Sequence, residues 1–205
     1  MSEENMMSVF STPMSVYKNH DLLPDLKKHI LSLEQKGVES DVAPQFKHNL
    51  HESKFDFFKT DIPVMKDTVK WFTQCIAETV NFIHDRDAGY RVNFNDSWYH
   101  ITKTNGVHEN HVHSNCSWCG IYYVQSGDPD RGGDTVFQNP VDPTYIDQGN
   151  TYLMQTSRFL LKPEDGALVL FPSYLAHAQS LYTGNTDRIV VAFNSAVIPL
   201  EEQSQ

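Results

Sequence analysis

Cysteine is scarce in this chain. Three residues, Cys75, Cys116 and Cys119, are too few and too odd in number for a disulfide framework, so a reducing cytoplasm is the expected compartment. Basic residues are scarce too. Sixteen Lys and Arg face 26 Asp and Glu, for a net charge of −10, which argues against a binder of nucleic-acid backbones. Long apolar runs are missing, and none approaches the roughly 20 residues that a membrane span needs. The first residues, MSEENMMSVF, are acidic and carry no apolar core of a secretory signal. Repeats, low-complexity tracts and linker-like composition shifts are also missing. Residues 1–205 are therefore read as one domain.

What is present has a globular balance, 40% hydrophobic and 20% charged. Residues 7–17, around Pro13, read as a short strand. From Asp21 to Lys36, Leu23, Leu26, Ile30 and Leu33 recur at helical spacing, with Gly37 as a C-cap. Residues 38–60 read as an irregular loop. Asp61 to Asp85 is the clearest helix, with Met65, Val69, Phe72, Ile76, Val80 and Ile83 in one stripe. Asp61 is its expected N-cap, with Pro63 in the first turn. After Gly89 about eight short segments are rich in β-branched and aromatic residues. They are VNFNDSWYHITKT, SWCGIYYVQ, DTVFQNP, TYLMQ, RFLLKP, GALVLFP, LAHAQSLY and RIVVAFNSAVI. The expectation is an α+β domain: helices over about 1–90 buttress a sandwich, jelly roll or barrel over about 91–198.

Ten histidines are spread along the chain, and most sit in polar contexts that require no function. His111 and His113 differ. Residues i and i+2 of a strand share a face, so two imidazoles can aim at one point. His177, in the apolar stretch ALVLFPSYLAHA, is a third candidate that a distant strand can bring in. Imidazole suits Fe, Cu, Zn and Ni, and three protein ligands leave open positions on an octahedral iron. Arg188 opens RIVVAFNS, 11 residues after His177. A guanidinium inside a β-lined pocket can grip a carboxylate with two hydrogen bonds.

At these residues the chain resembles the 2-oxoglutarate- and Fe(II)-dependent oxygenases. The blocks HVHSNCSWCGIYYV, GGDTVF and GALVLFPSYLAHAQSLYTGNTDRIVVAFNS are similar to a bacterial and phage branch of that superfamily. Its pattern runs HNHP, SGVYYV, GxLxF, FPSxLxH and RxxxxFN. The resemblance extends back to Trp98 and more loosely to STPMSVY. It implies a double-stranded β-helix, or cupin-like jelly roll, with iron at its open end. It implies His111, His113 and His177 as catalytic metal ligands. It implies Arg188 and Tyr123 as anchors of the 2-oxoglutarate carboxylate. Trp98 and Asn194 match positions without a defined role.

Two departures accompany the resemblance. Most of the superfamily uses two histidines and one carboxylate, whereas position 113 is His, as in the branch the chain resembles. Glu109 and Asp134 remain alternative carboxylate ligands. Val190 stands where many relatives have Ser, which removes one hydrogen bond to 2-oxoglutarate.

Cys116-Ser117-Trp118-Cys119 is a CxxC beside two histidines. It could form a tetrahedral zinc site or a redox pair. On a strand, i and i+3 face opposite sides, so the thiols are expected not to converge and to act as small buried hydrophobes.

The sequence thus predicts an oxidoreductase that uses Fe(II), 2-oxoglutarate and O2. It would couple decarboxylation of 2-oxoglutarate to succinate with oxidation of a substrate, as a hydroxylase. That substrate is a small molecule or a peptidyl group, prolyl or amino-acid-like. A non-catalytic cupin-like module is the alternative. Nucleic acid and membrane are not expected as partners. Oligomeric state is open, a homo-oligomer included. Loops 38–60, 104–110 and 139–150 are the expected determinants of substrate choice.

Overall fold

The computed structural model describes residues 11–34, 47–84, 89–140 and 157–200. Among these residues nine strands and two α-helices run in the order β1 (Ser15–Lys18), α1 (Leu23–Glu34), β2 (Lys47–Glu52), α2 (Pro63–His84), β3 (Tyr90–His111), β4 (Trp118–Gln125), β5 (Thr135–Gln138), β6 (Arg158–Leu161), β7 (Ala167–Pro172), β8 (His177–Tyr182) and β9 (Arg188–Pro199). A 3₁₀ turn, Phe57–Lys59, precedes α2. No helix among the described residues is long and apolar enough to cross a membrane.

The strands form one curled antiparallel sheet in the order β1-β7-β4-β9-β3-β8-β5-β6, with β2 paired to β3. Strand β3 ties the sheet together. Its residues 90–102 pair with β9, and its residues 106–111 pair with β8 after irregularities at Gly106 and His108. The same backbone therefore runs from the helix-covered half to the half that carries His177.

Period-two alternation sorts the strands between two cores. Tyr122, Leu168, Leu170, Val191 and Phe193 face α1 and α2, where they meet Leu26, Ile30, Phe72 and Ile76. Their neighbours Tyr123, Val169, Phe171 and Val190 face inward with Phe137 and Leu175. Gly120 is paired opposite Phe193, and a Cβ there would lie 2.2 Å from that ring. The missing side chain leaves Phe193 room to stack on Phe72, with centroids 5.1 Å apart and planes 30° from parallel.

The helices agree with the expected stripes, with shorter ends. Met65, Phe72, Ile76 and Val80 are buried, whereas Ile83 is 41% exposed in the last turn of α2. The expected cap Asp61 pairs instead with Lys66, at 2.8 Å. The expected early strand is found at Ser15–Lys18, antiparallel to β7. Three of the expectations, Gly37, the segment TYLMQ and residues 141–150, lie outside the described residues. The expectation of a loop over 38–60 fails at Lys47–Glu52, which is strand β2. Its sequence, KHNLHE, has one apolar residue and no alternation to read. Hydrogen bonding to the edge that β3 presents makes it a strand.

Candidate metal centre

His111 ends β3 and His177 begins β8, and the two are direct partners in the antiparallel register. Their ring centroids are 4.4 Å apart. His113 stands just past the end of β3, with its backbone N–H on the Ser173 carbonyl at 3.4 Å. Its ring lies 5.0 Å from that of His111 and 5.1 Å from that of His177. One nitrogen from each histidine falls within 4.8 Å of the others. The convergence expected of i and i+2 on one strand thus has a different origin. One histidine is on the strand, the next is in the loop, and cross-strand pairing supplies the third.

The tautomers follow from the hydrogen bonds. Nδ1 of His111 faces the Glu109 carbonyl at 2.8 Å, and Nδ1 of His177 faces the Leu175 carbonyl at 3.0 Å. A carbonyl only accepts, so each Nδ1 carries the proton and each Nε2 keeps its lone pair. Burial, then neighbouring histidines, depress the His113 pKa to about 4 and the His177 pKa to about 3. Burial also lowers that of His111. At neutral pH the cluster is therefore a set of uncharged imidazoles, the form that binds metal. Among the described residues this is the one such grouping. Glu109 is exposed and outside it, and Asp134 is outside it too.

Arg188, paired across the sheet with Thr102, is 2% exposed and lines the same cavity as the histidines. Its Nη1 donates to Gln179 Oε1 at 2.9 Å, and Thr102 Oγ1 donates to that same oxygen at 2.8 Å. The guanidinium carbon stands 5.3 Å from the centre of the Tyr123 ring. The Tyr123 hydroxyl meets Thr135 Oγ1 at 2.5 Å. The Nε of Arg188 is buried without a hydrogen-bond partner. Asp134 attracts it electrostatically, but no carboxylate among the described residues forms an ion pair with it. A buried cation with an idle donor is a site for an anion. Val190 lines the cavity with an apolar surface.

Sequence reasoning set aside His100, His108 and Glu52, yet all three belong here. His108 stacks on His111 at 4.2 Å, and His100 meets His108 edge-on at 5.3 Å. Glu52 on β2 takes a hydrogen bond from His100 Nε2 at 2.6 Å and another from Lys47. The irregular pairing of β3 near 106–111 hides these positions from a period-two reading. A second cleft, lined by Lys47, Glu52, Phe55, Asp96 and Asn194, shares Trp98, His108, His111 and His113 with the first. Trp98 and Asn194 therefore border the histidine cluster.

Desolvation pushes the Glu52 carboxyl upward, but the bonds from His100 and Lys47 outweigh it and hold the pKa at about 2. A depressed carboxylate stabilises the fold above its ordinary value and loses that contribution as pH falls toward 2. Glu52→Gln should therefore lower stability at pH 7 by roughly 2–3 kcal/mol. The gap from wild type should close on acidification from about pH 4.5 towards pH 2. Thermal melts across that range check it, and a pH-independent gap would contradict the ion-pair account.

The CxxC expectation needs correction. Cys116 and Cys119 are free, and their sulfurs lie 4.0 Å apart. Only Cys119 is on β4. Cys116 lies in the preceding turn, where Asn115 adopts φ 58° and folds the chain back. Neither sulfur belongs to the metal-capable cluster, so the tetrahedral zinc arrangement is not formed.

A curled antiparallel sheet with three converging imidazoles and a buried arginine lining the same cavity is a jelly-roll architecture that carries a candidate metal centre. Residues 96–194 match the sequence model of a family described as "Putative 2OG-Fe(II) oxygenase". No curated protein matches the chain by sequence. Solved structures share the fold. A Pseudomonas putida prolyl-4-hydroxylase is 13% identical, covering 90% of this chain and 93% of its own, with a TM-score of 0.60. HygX from Streptomyces hygroscopicus, with nickel and 2-oxoglutarate bound, is 11% identical over 90% and 83%, at 0.55. A viral collagen prolyl hydroxylase from Paramecium Bursaria Chlorella virus-1 is 14% identical over 88% and 96%, at 0.54. Through residues 96–194 the chain is therefore similar to the 2-oxoglutarate- and Fe(II)-dependent oxygenases. It is an oxidoreductase whose cosubstrates are 2-oxoglutarate and O2.

Proposed function

We propose that His111, His113 and His177 hold Fe(II) through three neutral imidazoles, and that Arg188 and Tyr123 receive the distal carboxylate of 2-oxoglutarate. The observation that carries this reading is the convergence of three imidazole nitrogens within 4.8 Å, two of them with Nδ1 committed to a carbonyl. The donor set fits the metal: it is neutral, borderline in softness and compatible with open coordination positions. An all-histidine set leaves the site one charge more positive than a set with a carboxylate, and the dianionic cosubstrate offsets that. When bound, iron and 2-oxoglutarate supply the oxidation itself, with O2 consumed and succinate and CO2 released.

The protein's own contribution is position and exclusion of water. Strand pairing of His111 with His177 sets the spacing of two ligands before metal arrives. The carbonyls of Glu109 and Leu175 hold the rings in one tautomer. Arg188 offers Nε to an anion while Gln179, itself held by Thr102, fixes Nη1 of the guanidinium. The apolar walls of Phe171, Val190 and Ala192 strengthen that attraction by keeping water out.

The second cleft is where the substrate would approach, between the β2 side and the histidines. Trp98, whose indole N–H is buried and unpartnered, offers it a donor. The substrate is a small molecule or a peptidyl group, and hydroxylation is the reaction proposed. The Trichoplax adhaerens prolyl hydroxylase that shares this fold was solved with a hypoxia inducible factor peptide.

The test uses the full chain with Fe(II) and 2-oxoglutarate. Without O2, a charge-transfer absorption band should appear on mixing. With O2, succinate should accumulate, faster in the presence of an accepted substrate. Absence of both the band and succinate would overturn the reading.

A further inference from the structure

Cys116 and Cys119 take no part in the proposed chemistry, yet they adjoin it. Cys119 is fixed. Its backbone pairs with Phe171 on one side and Asn194 on the other, its thiol reaches Asn194 Oδ1 at 3.4 Å, and it lines the histidine cavity. Cys116 lies in the short segment that links His113 to β4. That segment is clasped to Ser173 at three points. The His113 N–H donates to the Ser173 carbonyl at 3.4 Å. The Ser173 N–H donates to the Ser117 carbonyl at 3.0 Å. The Ser173 hydroxyl donates to the Cys116 carbonyl at 2.8 Å. A disulfide requires sulfurs about 2.05 Å apart, so the thiols, at 4.0 Å, must approach further. With Cys119 held on both edges, the movement falls on Cys116 and on the loop that carries His113.

We propose that Cys116 and Cys119 are a redox modification site: a peroxide-class oxidant joins them as a disulfide, and the disulfide weakens metal binding at the histidine triad by displacing His113. The second half rests on the ligand role proposed for His113. In the first step Cys116 sulfur attacks a peroxide oxygen, giving a sulfenic acid and one water. In the second, Cys119 sulfur attacks the sulfenic sulfur, the S–S bond forms and a second water leaves. Hydrogen peroxide gains two electrons, and each sulfur loses one. Cys116 is the half-buried member of the pair and is the one an oxidant reaches. Burial raises both thiol pKa values, so both are protonated at neutral pH and closure is slow, speeding up as pH rises. Cys75, buried on α2, serves as an internal reference thiol.

The test takes the metal-free full chain, treats it with hydrogen peroxide or a thiol reductant, and alkylates the thiols that remain. Peptide mass analysis should find a Cys116–Cys119 disulfide, with Cys75 still alkylatable after unfolding. Co(II), followed by its visible absorption, should bind the oxidised protein about tenfold or more weakly than the reduced protein. Reduction should restore binding. Cys116→Ser should bind Co(II) like reduced wild type both before and after peroxide. Failure of the disulfide to form overturns the proposal, and so does a disulfide that leaves Co(II) affinity unchanged. A reduced protein that binds no Co(II) overturns the ligand reading instead, which the disulfide measurement keeps distinct.

Discussion

Replacing His177 with alanine is expected to abolish Fe(II) and Co(II) binding while leaving the chain folded. The loss comes from the direct partner of His111 across the β3–β8 register, one of three nitrogens that converge. Losing a group that merely orients a metal ligand costs 10–100-fold in affinity, so losing a ligand should exceed about 100-fold. The fold has reason to survive. The His177 ring packs on Phe171 at 4.7 Å, and its one hydrogen bond goes to a carbonyl two residues away. A few degrees in Tm are expected, from the small cavity left behind. His108→Ala is the matching control. Its ring stacks on His111 but stands outside the converging set, so metal binding should weaken only modestly. Metal titration with a melt on each variant separates the outcomes. Undiminished binding by His177→Ala would remove it from the ligand set.

Arg188→Met is expected to raise the 2-oxoglutarate requirement sharply and to leave iron binding intact. Hydrogen bonds to a charged group contribute about 1.5–3 kcal/mol, which corresponds to roughly 10- to 150-fold in the KM for 2-oxoglutarate. Stability should not fall and can rise. Arg188 is buried with an idle Nε and no ion-pair partner, and replacing such a charge with a similar apolar volume is commonly neutral or stabilising. Gln179 Oε1 keeps its donor from Thr102. The two readouts move in opposite directions, which a simple folding defect cannot produce. A variant with unchanged KM would exclude Arg188 from the cosubstrate site.

The parts of the site that were legible in the sequence lie where the chain is regular. β4, β7 and β9 have dense apolar and β-branched runs; Tyr123 and Arg188 sit on such strands, and His177 opens β8 just after β7. The helices were legible because α1 and α2 each turn one stripe toward the sheet. Legibility fails where pairing with a distant strand decides the outcome. KHNLHE becomes β2 because β3 offers it an edge, and this carries Glu52 to His100. The irregularities between Gly106 and His111 carry His108 onto His111. A left-handed Asn115 turns Cys116 toward Cys119 although a strand would hold them apart. Each failure concerns a contact made by geometry that no local period encodes.

Strand β3 sets an order of events during synthesis. Its residues 90–102 pair with β9, and its end pairs with β8, so every hydrogen-bonded neighbour of its second half except β2 is made at least 65 residues later. A ribosome that has just produced His111 and His113 has made two of the three proposed ligands but not the β8 partner that sets their register. Until β8 and β9 emerge, the nascent chain exposes a 22-residue strand whose one earlier-made partner is β2. Such a strand is vulnerable to mispairing. Assembly of the proposed metal site must then follow translation of β8, whose His177 is the cross-strand partner of His111.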